Sequence, residues 1–114
     1  MDDCLFCKIV AGAVPADKVR EDGLTVAFRD IDPQAPVHVL VVPRAHHPTP
    51  GALAAAAPDA LVAMLAAATG IAAAEGVSGT GYRCVFNVGR DAHQSVEHAH
   101  LHVLGGRDLR WPPG

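Results

Sequence analysis

Three histidines near the C-terminal end of the sequence stand at every second position: His98, His100 and His102. Side chains on a β-strand alternate between its two faces, so residues i, i+2 and i+4 project to the same side. A strand here would therefore line up three imidazoles on one face, about 6.6 Å apart along the chain. Imidazole binds metal ions and also acts as a base or a nucleophile near neutral pH. The spacing indicates one of these chemistries, and solvated surface histidines are the alternative.

A second group of candidate ligands lies at the N-terminus, where Cys4 and Cys7 form a Cys-x-x-Cys pair. This spacing is that of half a zinc site, and two histidines would complete a tetrahedral set of ligands. A redox-active pair and two cysteines packed in the core are the alternatives. The third cysteine, Cys84, stands alone inside a predicted strand, and we expect it to be a small core residue.

Composition restricts the class of protein. The chain has 114 residues and 50% of them are hydrophobic, which is enough for one core and predicts a single domain over residues 1–114. The formal net charge of −3 and the low aromatic content argue against a nucleic-acid groove. The acidic N-terminus and the lack of a long apolar run predict a cytoplasmic protein with no membrane segment.

The order of the predicted elements indicates an α+β fold with a mostly antiparallel sheet. A short helix is expected over residues 4–11. A long helix over residues 58–76 is predicted from residues at helical spacing: Leu61, Leu65, Ala68 and Ala72. Runs rich in β-branched and alternating apolar residues predict strands over residues 18–21, 24–31, 37–43, 82–89 and 98–106.

The segment "HAHLHVL" resembles the signature of the histidine triad (HIT) family, in which three histidines alternate with apolar residues. Further segments resemble the Hint branch of that family: "LFCKIVAGAVPA", "FRDIDPQAPVHVLVVPRAH", "GYRCVFNVG", "QSVEHAHLHVLGGR" and "WPPG". The resemblance covers nearly the whole chain. It implies a HIT-like fold with about five antiparallel strands and two helices per subunit. It also implies a homodimer in which the two sheets join into one of ten strands.

The resemblance implies hydrolysis of purine nucleoside 5′-phosphoramidates to a nucleoside monophosphate and an amine. A neutral imidazole is a competent nucleophile at phosphorus, and a covalent nucleotidyl-histidine divides one difficult displacement into two easier ones. By resemblance His100 is the nucleophile and His102 flanks it. His38 matches the histidine that orients the nucleophile by holding its other ring nitrogen. Ser95 matches the group that assists the departing amine.

The resemblance also assigns the contacts to the nucleotide. Asp30 would accept both ribose hydroxyls, because a carboxylate has the acceptor geometry for a cis-diol. The phosphate would be bound by Asn87, Gln94, Ser95, His100 and His102. The apolar walls of the base site would be Phe6, Ile9, Phe28 and Ile31. Taken singly, each apolar residue is equally at home in a core, and Asp30 and Asn87 are common in turns.

Bacterial members of the family that bind zinc suggest how the Cys-x-x-Cys pair is completed. The matching positions here are Cys4, Cys7, His46 and His98. A closed site with four protein ligands would hold a structural zinc ion and fasten the N-terminal helix to the sheet. His47, beside His46, is the rival ligand.

Two positions depart from the pattern of the Hint branch. His93 stands where a glycine is usual, and Glu97 stands where an aromatic residue is usual. Both leave the conformation of this loop and the preferred leaving group open. Two other function classes also stay open: a dinucleoside polyphosphate hydrolase or nucleotidyl transferase of the same superfamily, and a non-catalytic nucleotide- or zinc-binding protein.

Overall fold

A five-stranded antiparallel sheet organises the computed structural model, which describes residues 3–114. The strands are β1 (Lys18–Glu21), β2 (Thr25–Arg29), β3 (Val37–Pro43), β4 (Tyr82–Phe86) and β5 (Leu101–Gly105). Their order across the sheet is β1-β2-β3-β5-β4. The helices of this range are α1 (Leu5–Val10), α2 (Pro50–Ala56) and α3 (Pro58–Ala74). The predicted α+β class and antiparallel sheet are confirmed.

The central strand, β3, is buried on both faces because its residues are apolar on both faces. Val39 and Val41 pack in the cluster on the side of α3, whereas Leu40 and Val42 pack in the cluster on the side of α1. This alternation follows from the twofold period of a strand. The apolar run that predicts β3 therefore also predicts that both faces of the strand are covered, one on the side of α3 and the other on the side of α1.

The predicted long helix is confirmed as α3, but Leu65 does not belong to its buried face. The residues buried against the sheet are Ala60, Met64, Ala67, Ala68, Ile71 and Ala72. Leu65 is 49% exposed and Val62 is 66% exposed. An alanine-rich helix is apolar all round, so leucine spacing alone does not determine which side meets the sheet. None of the helices in residues 3–114 is long and apolar enough to cross a membrane.

A third helix, α2, corrects the prediction of two helices per subunit. The hydroxyl of Thr49 accepts a hydrogen bond from the backbone N–H of Ala52 at 3.1 Å, which caps the helix. Pro50 occupies the first turn, where its missing N–H costs nothing. Leu53 is fully buried in the core. The Thr-Pro start signal is present in the sequence, but the helix is short and joined to α3 by one residue.

The predicted last strand is shorter than expected, because β5 begins at Leu101 and includes only His102 of the three histidines. The hydrogen bonds of the preceding segment go elsewhere. The backbone N–H of Ala99 donates to the carbonyl of His47 at 2.7 Å, and the carbonyl of His98 accepts from the ring of His100. Residues 98–100 are therefore held by hydrogen bonds outside the sheet, and only His102 of the three histidines lies in a strand.

Cys84 is exposed, so the prediction that it is a core residue is wrong. It lies in β4, which among residues 3–114 pairs only with β5 and forms one edge of the sheet. Alternation along the strand correctly puts its side chain on the face of α3, with Tyr82 and Phe86. The order of strands, which decides what covers that face, is not a local property of the sequence.

The end of β5 passes very close to the loop that joins β2 to β3. Gly106 has a φ of 89°, in the left-handed region that favours glycine. A Cβ atom at Gly106 would lie 2.9 Å from the Cβ of Pro36, which no side chain could accept without movement. This close approach positions Arg107, the next residue, against that loop.

Candidate active site and metal centre

Two histidines on neighbouring strands form a direct hydrogen bond. His38 Nε2 in β3 lies 2.8 Å from His102 Nδ1 in β5. His38 Nδ1 accepts a hydrogen bond from the backbone N–H of Gln34 at 3.0 Å, so a neutral His38 carries its proton on Nε2. His38 therefore donates to His102. Because His102 Nδ1 accepts, its own proton is on Nε2.

The Nε2 atom of His102 is buried and has no hydrogen-bond partner among residues 3–114. Because His102 accepts on Nδ1, its Nε2 carries the proton and is an N–H donor without an acceptor in this range. A buried donor left unpaired costs about 1–3 kcal/mol, and such exceptions call for an explanation. This orphaned donor marks the place where an acceptor atom of a ligand would be stabilised.

The imidazole of His100 has the opposite tautomer. Its Nδ1 lies 2.7 Å from the carbonyl oxygen of His98, and a carbonyl only accepts, so the proton of His100 is on Nδ1. The Nε2 atom then carries a free lone pair. The ring is 3% exposed and its centroid lies 5.1 Å from that of His102. A lone pair and an unpaired N–H donor thus belong to neighbouring rings.

The prediction that His38 holds a ring nitrogen of His100, the predicted nucleophile, is wrong. His38 contacts His102, and the ring nitrogen of His100 opposite its lone pair is held by the backbone carbonyl of His98. A backbone carbonyl has no residue type, so the sequence contains no signal for this contact. His38 reaches His100 only through His102.

Burial keeps the histidine pair neutral. Desolvation lowers the pKa of His102 to about 4, and the neighbouring His100 and His38 also disfavour its charged form. Desolvation lowers the pKa of His38 as well, although Asp30 and Asp32 act in the opposite direction. At neutral pH the pair therefore provides hydrogen bonds of fixed direction and no positive charge.

An apolar cleft of about 550 Å³ lies between α1 and the end of β2. None of the histidines lines it, but two of its lining residues contact them: Phe6 contacts His100 and Asp30 contacts His38. The predicted base-site residues Phe6, Ile9, Phe28 and Ile31 all line it. Phe6 packs edge-on against Phe28, with ring centroids 5.5 Å apart, and also against His100 at 5.0 Å. Sequence reasoning missed the other lining residues, of which six are apolar and two are charged: Leu5, Val14, Pro15, Ala16, Leu40 and Val96, with Asp17 and Arg29.

Asp30 lines the same cleft and lies next to the histidine pair. One carboxylate oxygen accepts a hydrogen bond from the backbone N–H of Asp32 at 2.8 Å. The other oxygen lies 3.5 Å from His38 Nε2. Asp30, His38 and His102 also have the spacing of metal ligands. The 2.8 Å contact between the two rings is that of a hydrogen bond, however, and it accounts for their arrangement.

The remaining predicted phosphate contacts lie on two segments. Ser95 is exposed at the rim of the cleft. Asn87 is the residue that follows β4, whose last pair in the sheet is Phe86 with Leu101. Whether either residue contacts phosphate stays a prediction.

Gln94 braces its own loop. Its Oε1 accepts from the backbone N–H of Gly89 at 3.0 Å, and its Nε2 donates to the carbonyls of Pro48 at 2.7 Å and Val96 at 3.0 Å. Both amide protons are therefore engaged. The predicted contact between Gln94 and phosphate stays a prediction, and it would require the exchange of one of these bonds.

The two departures from the Hint pattern have different structural consequences. His93 has a φ of 61°, a backbone conformation that glycine adopts readily and that histidine adopts more often than most residues. The position therefore requires a positive φ, which a glycine adopts without strain. Glu97 is exposed and lines a groove with Cys4 and His46, so its carboxylate stays in contact with solvent.

The second cluster contains the predicted metal ligands Cys4, Cys7, His46 and His98, whose ligand atoms all lie within 4.8 Å of one another. His98 Nδ1 lies 3.5 Å from each of the two sulfur atoms and 3.1 Å from His46 Nδ1. In a tetrahedral zinc site, bonds of about 2.3 Å to sulfur and 2.0 Å to nitrogen place sulfur and nitrogen about 3.5 Å apart and two nitrogens about 3.3 Å apart. The four residues can hold a metal ion.

The chemistry of the donor atoms also fits a cation. His98 Nε2 donates to the carbonyl of Pro43 at 2.9 Å, which leaves the lone pair of Nδ1 facing the two sulfurs. Burial, with Cys4 as neighbour, raises the pKa of Cys7, so two thiolates side by side need a positive charge between them. His47 is not part of the cluster, which decides between the rival histidines in favour of His46.

Comparison with known proteins places this geometry in a family. Residues 11–109 match the HIT domain family. The chain belongs to the HIT family. A relative, the purine nucleoside phosphoramidase of Escherichia coli (strain K12), is 43% identical over 108 residues, which make up 95% of this chain and 91% of that protein. The resemblance seen in the sequence is confirmed.

Solved HIT structures have the same fold. A HIT family hydrolase from Legionella pneumophila superposes with a TM-score of 0.94 at 49% identity, covering 98% of this chain and all (100%) of that one. A histidine triad protein from Clostridium difficile gives a TM-score of 0.91 at 38% identity and covers 96% of both chains. The HIT-like fold predicted from the sequence is therefore confirmed.

The low pKa of His102 predicts how stability depends on pH. Unfolding returns the ring to a pKa of about 6.5, so between that value and about 4 the unfolded chain binds the extra proton. The free energy of unfolding should therefore fall as the pH falls through this range. His102→Asn should reduce the slope by at most about 1.4 kcal/mol per pH unit, measured by urea unfolding. The exposed His93→Asn is the control and should leave the slope unchanged; equal slopes in all three proteins would contradict a neutral His102.

Proposed function

We propose that this chain hydrolyses purine nucleoside 5′-phosphoramidates, with His100 as the nucleophile. One observation carries the proposal: the hydrogen bond from His100 Nδ1 to the carbonyl of His98 leaves an unprotonated Nε2 in a buried site beside a cleft. A nucleophile already in its reactive tautomer needs no separate base. The similarity to a purine nucleoside phosphoramidase supports the substrate class.

The reaction has two displacements at phosphorus. His100 Nε2 attacks phosphorus while the bond to the amine nitrogen breaks, and the amine leaves after taking one proton from solvent. Water then attacks the nucleotidyl-histidine, the bond from phosphorus to Nε2 breaks, and the water returns one proton to solvent. The products are a nucleoside monophosphate, the amine and a neutral His100. In both steps the proton stays on Nδ1, hydrogen-bonded to the carbonyl of His98. His100 therefore ends the cycle in the tautomer in which it began.

The orphaned N–H of His102 is the proposed donor to a phosphoryl oxygen. It lies in a water-poor site, where a hydrogen bond to developing negative charge is worth more than in water. His38 supports it by donating to His102 Nδ1. Ser95, at the rim of the cleft, would assist the departing amine, and Asn87 would hold a second phosphoryl oxygen.

The apolar cleft is the proposed site of the purine. Phe6 and Phe28 form its inner wall, and Ile31 is fully exposed at its rim, where a bound base would cover it. Asp30 lies between the cleft and the histidine pair, the position in which a ribose would connect base to phosphate. Its carboxylate keeps acceptor capacity for both ribose hydroxyls, since each oxygen has two lone pairs.

His100→Ala should lower turnover of adenosine 5′-phosphoramidate by about a thousandfold or more, while AMP still binds. The base and ribose contacts lie elsewhere, so the dissociation constant of AMP, measured by calorimetry, should change little. The exposed His93→Asn is the matched control, because asparagine also tolerates a positive φ. Near-normal turnover by His100→Ala would contradict the proposal, as would wild-type protein that cleaves diadenosine polyphosphate and not the phosphoramidate.

We also propose that the cysteine and histidine cluster binds a structural zinc ion. All four ligands come from the protein and leave no position for a substrate, which is typical of structural zinc. The ion would join α1 to the segment after β3 and to the residue that orients His100. Its binding energy would contribute directly to folding.

Purified protein should therefore contain about one zinc ion per chain by mass spectrometry of the metal. Cys4→Ser should lose the metal and melt at least about 5 °C lower, because the ion no longer stabilises the folded state. Part of the activity should remain, since His100 and His102 are not ligands. Cys84→Ser changes an exposed cysteine and should keep both metal and melting temperature; a metal-free wild type, or equal melting of the two variants, would refute the zinc site.

A homodimer is the proposed assembly. Val62 and Leu65 expose apolar surface on the outer side of α3, and β4 is an unpaired sheet edge in the part of the chain that the structure describes. Contact between two copies through this surface would cover both features and join two sheets edge to edge.

Sedimentation velocity tests this assembly. The wild type should sediment as a dimer at micromolar concentration, and Leu65→Glu should shift it to monomer, because a buried unpaired carboxylate opposes association. Leu24→Glu is the matched control, since Leu24 is similarly exposed but lies in the turn between β1 and β2. A monomeric wild type, or a dimeric Leu65→Glu, would argue against this interface.

A further inference from the structure

Arg107 holds the backbone of a distant loop. Its Nε and Nη2 atoms both donate to the carbonyl oxygen of Gln34, at 3.1 Å and 2.9 Å. Its Nη1 donates to the carbonyl of Asp108 at 3.0 Å. All three nitrogens of the planar guanidinium therefore donate hydrogen bonds, which fixes its orientation. Its approach depends on Gly106, which lets the chain pass against the loop at Pro36.

The residue held by Arg107 is the residue that sets the tautomer of His38. The carbonyl of Gln34 accepts from Arg107, and the N–H of Gln34 donates to His38 Nδ1 at 3.0 Å. The loop is also braced from within, because Asp30 accepts from the N–H of Asp32 and the side chain of Gln34 donates to the carbonyl of Asp32. Arg107 is the brace that comes from another part of the fold.

We propose that Arg107 is a positioning residue that acts through the backbone of Gln34 to fix the direction of the His38–His102 hydrogen bond. Its consequence for catalysis rests on the function proposed above. The N–H of Gln34 keeps the proton of His38 on Nε2 and hence the proton of His102 on its orphaned Nε2. Arg107 keeps that N–H aimed at the ring from a surface position, without itself touching either histidine.

The chemical consequence follows from the alternative tautomer. Without the N–H of Gln34, His38 can carry its proton on Nδ1, and its Nε2 then accepts from His102 Nδ1. His102 Nε2 would become a lone pair beside the lone pair of His100. A phosphoryl oxygen would meet repulsion where it now meets a donor, so the chemical step should slow while the binding of base and ribose stays nearly unchanged.

Nitrogen-15 NMR of the histidine side chains, with steady-state kinetics on the same samples, tests this inference. In the wild type, His38 and His102 should each be protonated on Nε2. Arg107→Ala should give a mixture of tautomers at both rings and lower kcat about tenfold, with KM changed less than about twofold. Arg107→Lys should recover part of kcat, because an ammonium group can still donate to the carbonyl of Gln34. Gln34→Pro removes the N–H itself and should give the larger effect. Gln34→Ala keeps the N–H and loses only the side-chain bond to Asp32, so its effect should be smaller than that of Arg107→Ala.

The matched control is Arg83→Ala. Arg83 also donates to two backbone carbonyls, those of Leu109 at 3.3 Å and Arg110 at 2.6 Å, but it contacts neither the loop nor the histidines. Unchanged tautomers in Arg107→Ala would overturn the inference, and so would an equal loss of kcat in Arg83→Ala. If the wild type lacks phosphoramidase activity, the proposed function fails, and the NMR comparison still decides whether Arg107 sets the tautomers.

Discussion

The hydrogen bond between the His98 carbonyl and the ring of His100 connects the two halves of the site. His98 is fully buried, and three of its polar groups point in three directions: Nε2 donates to the carbonyl of Pro43, Nδ1 faces the cysteine sulfurs, and the carbonyl accepts from His100. Any displacement of His98 would therefore move His100, the proposed nucleophile. The cluster with Cys4 and Cys7 lies on one side of this residue and the Nε2 atom of His100 on the other, so an ion bound in the cluster would stiffen the proposed active site without touching substrate.

The histidine triad is regular in sequence but not in chemistry. Burial disfavours the charged form of His98 and His102, as their lowered pKa values show. What differs is the partner of each ring: a carbonyl of Pro43, a carbonyl of His98 and the ring of His38. These partners leave a lone pair on His98 Nδ1 for the proposed cation, a lone pair on His100 Nε2 for the proposed attack on phosphorus, and an N–H donor on His102 for the proposed contact with oxygen. Three equal side chains thus have three roles because their neighbours differ.

Much of this site could be predicted from residue types. The β-branched run of β3 and its terminal proline give the strand its correct bounds, and the Cys-x-x-Cys spacing with the family pattern gives the four metal ligands that the structure brings together. The contacts that set tautomers could not be predicted, because the partners of His38 and His100 are backbone groups of Gln34 and His98. Backbone groups are the same in every residue, and only packing decides which one meets a ring.

The remaining failures also concern neighbours that are distant in sequence. Cys84 alternates correctly with Tyr82 and Phe86, yet it is exposed because β4 lies at the edge of the sheet. Likewise, the alanine-rich sequence of α3 is compatible with several buried faces, and Met64 and Ile71 face the sheet in place of Leu65. Local periodicity determines which residues share a face, and the order of strands determines whether that face is covered.

The register between β3 and β5 couples the packing of the core to the chemistry. Leu40 pairs with His102 and His38 pairs with Leu104, so both histidines project to the same side of the sheet, toward the cluster around α1. A slip of one residue in β5 would turn His102 toward the layer of alanine, methionine and isoleucine side chains on α3. There its ring would lose the hydrogen bond to His38 and meet no polar group, at a cost of several kcal/mol. The same slip would turn Leu101 and Val103 away from the core cluster on the side of α3, so hydrophobic burial and the histidine pair favour one register.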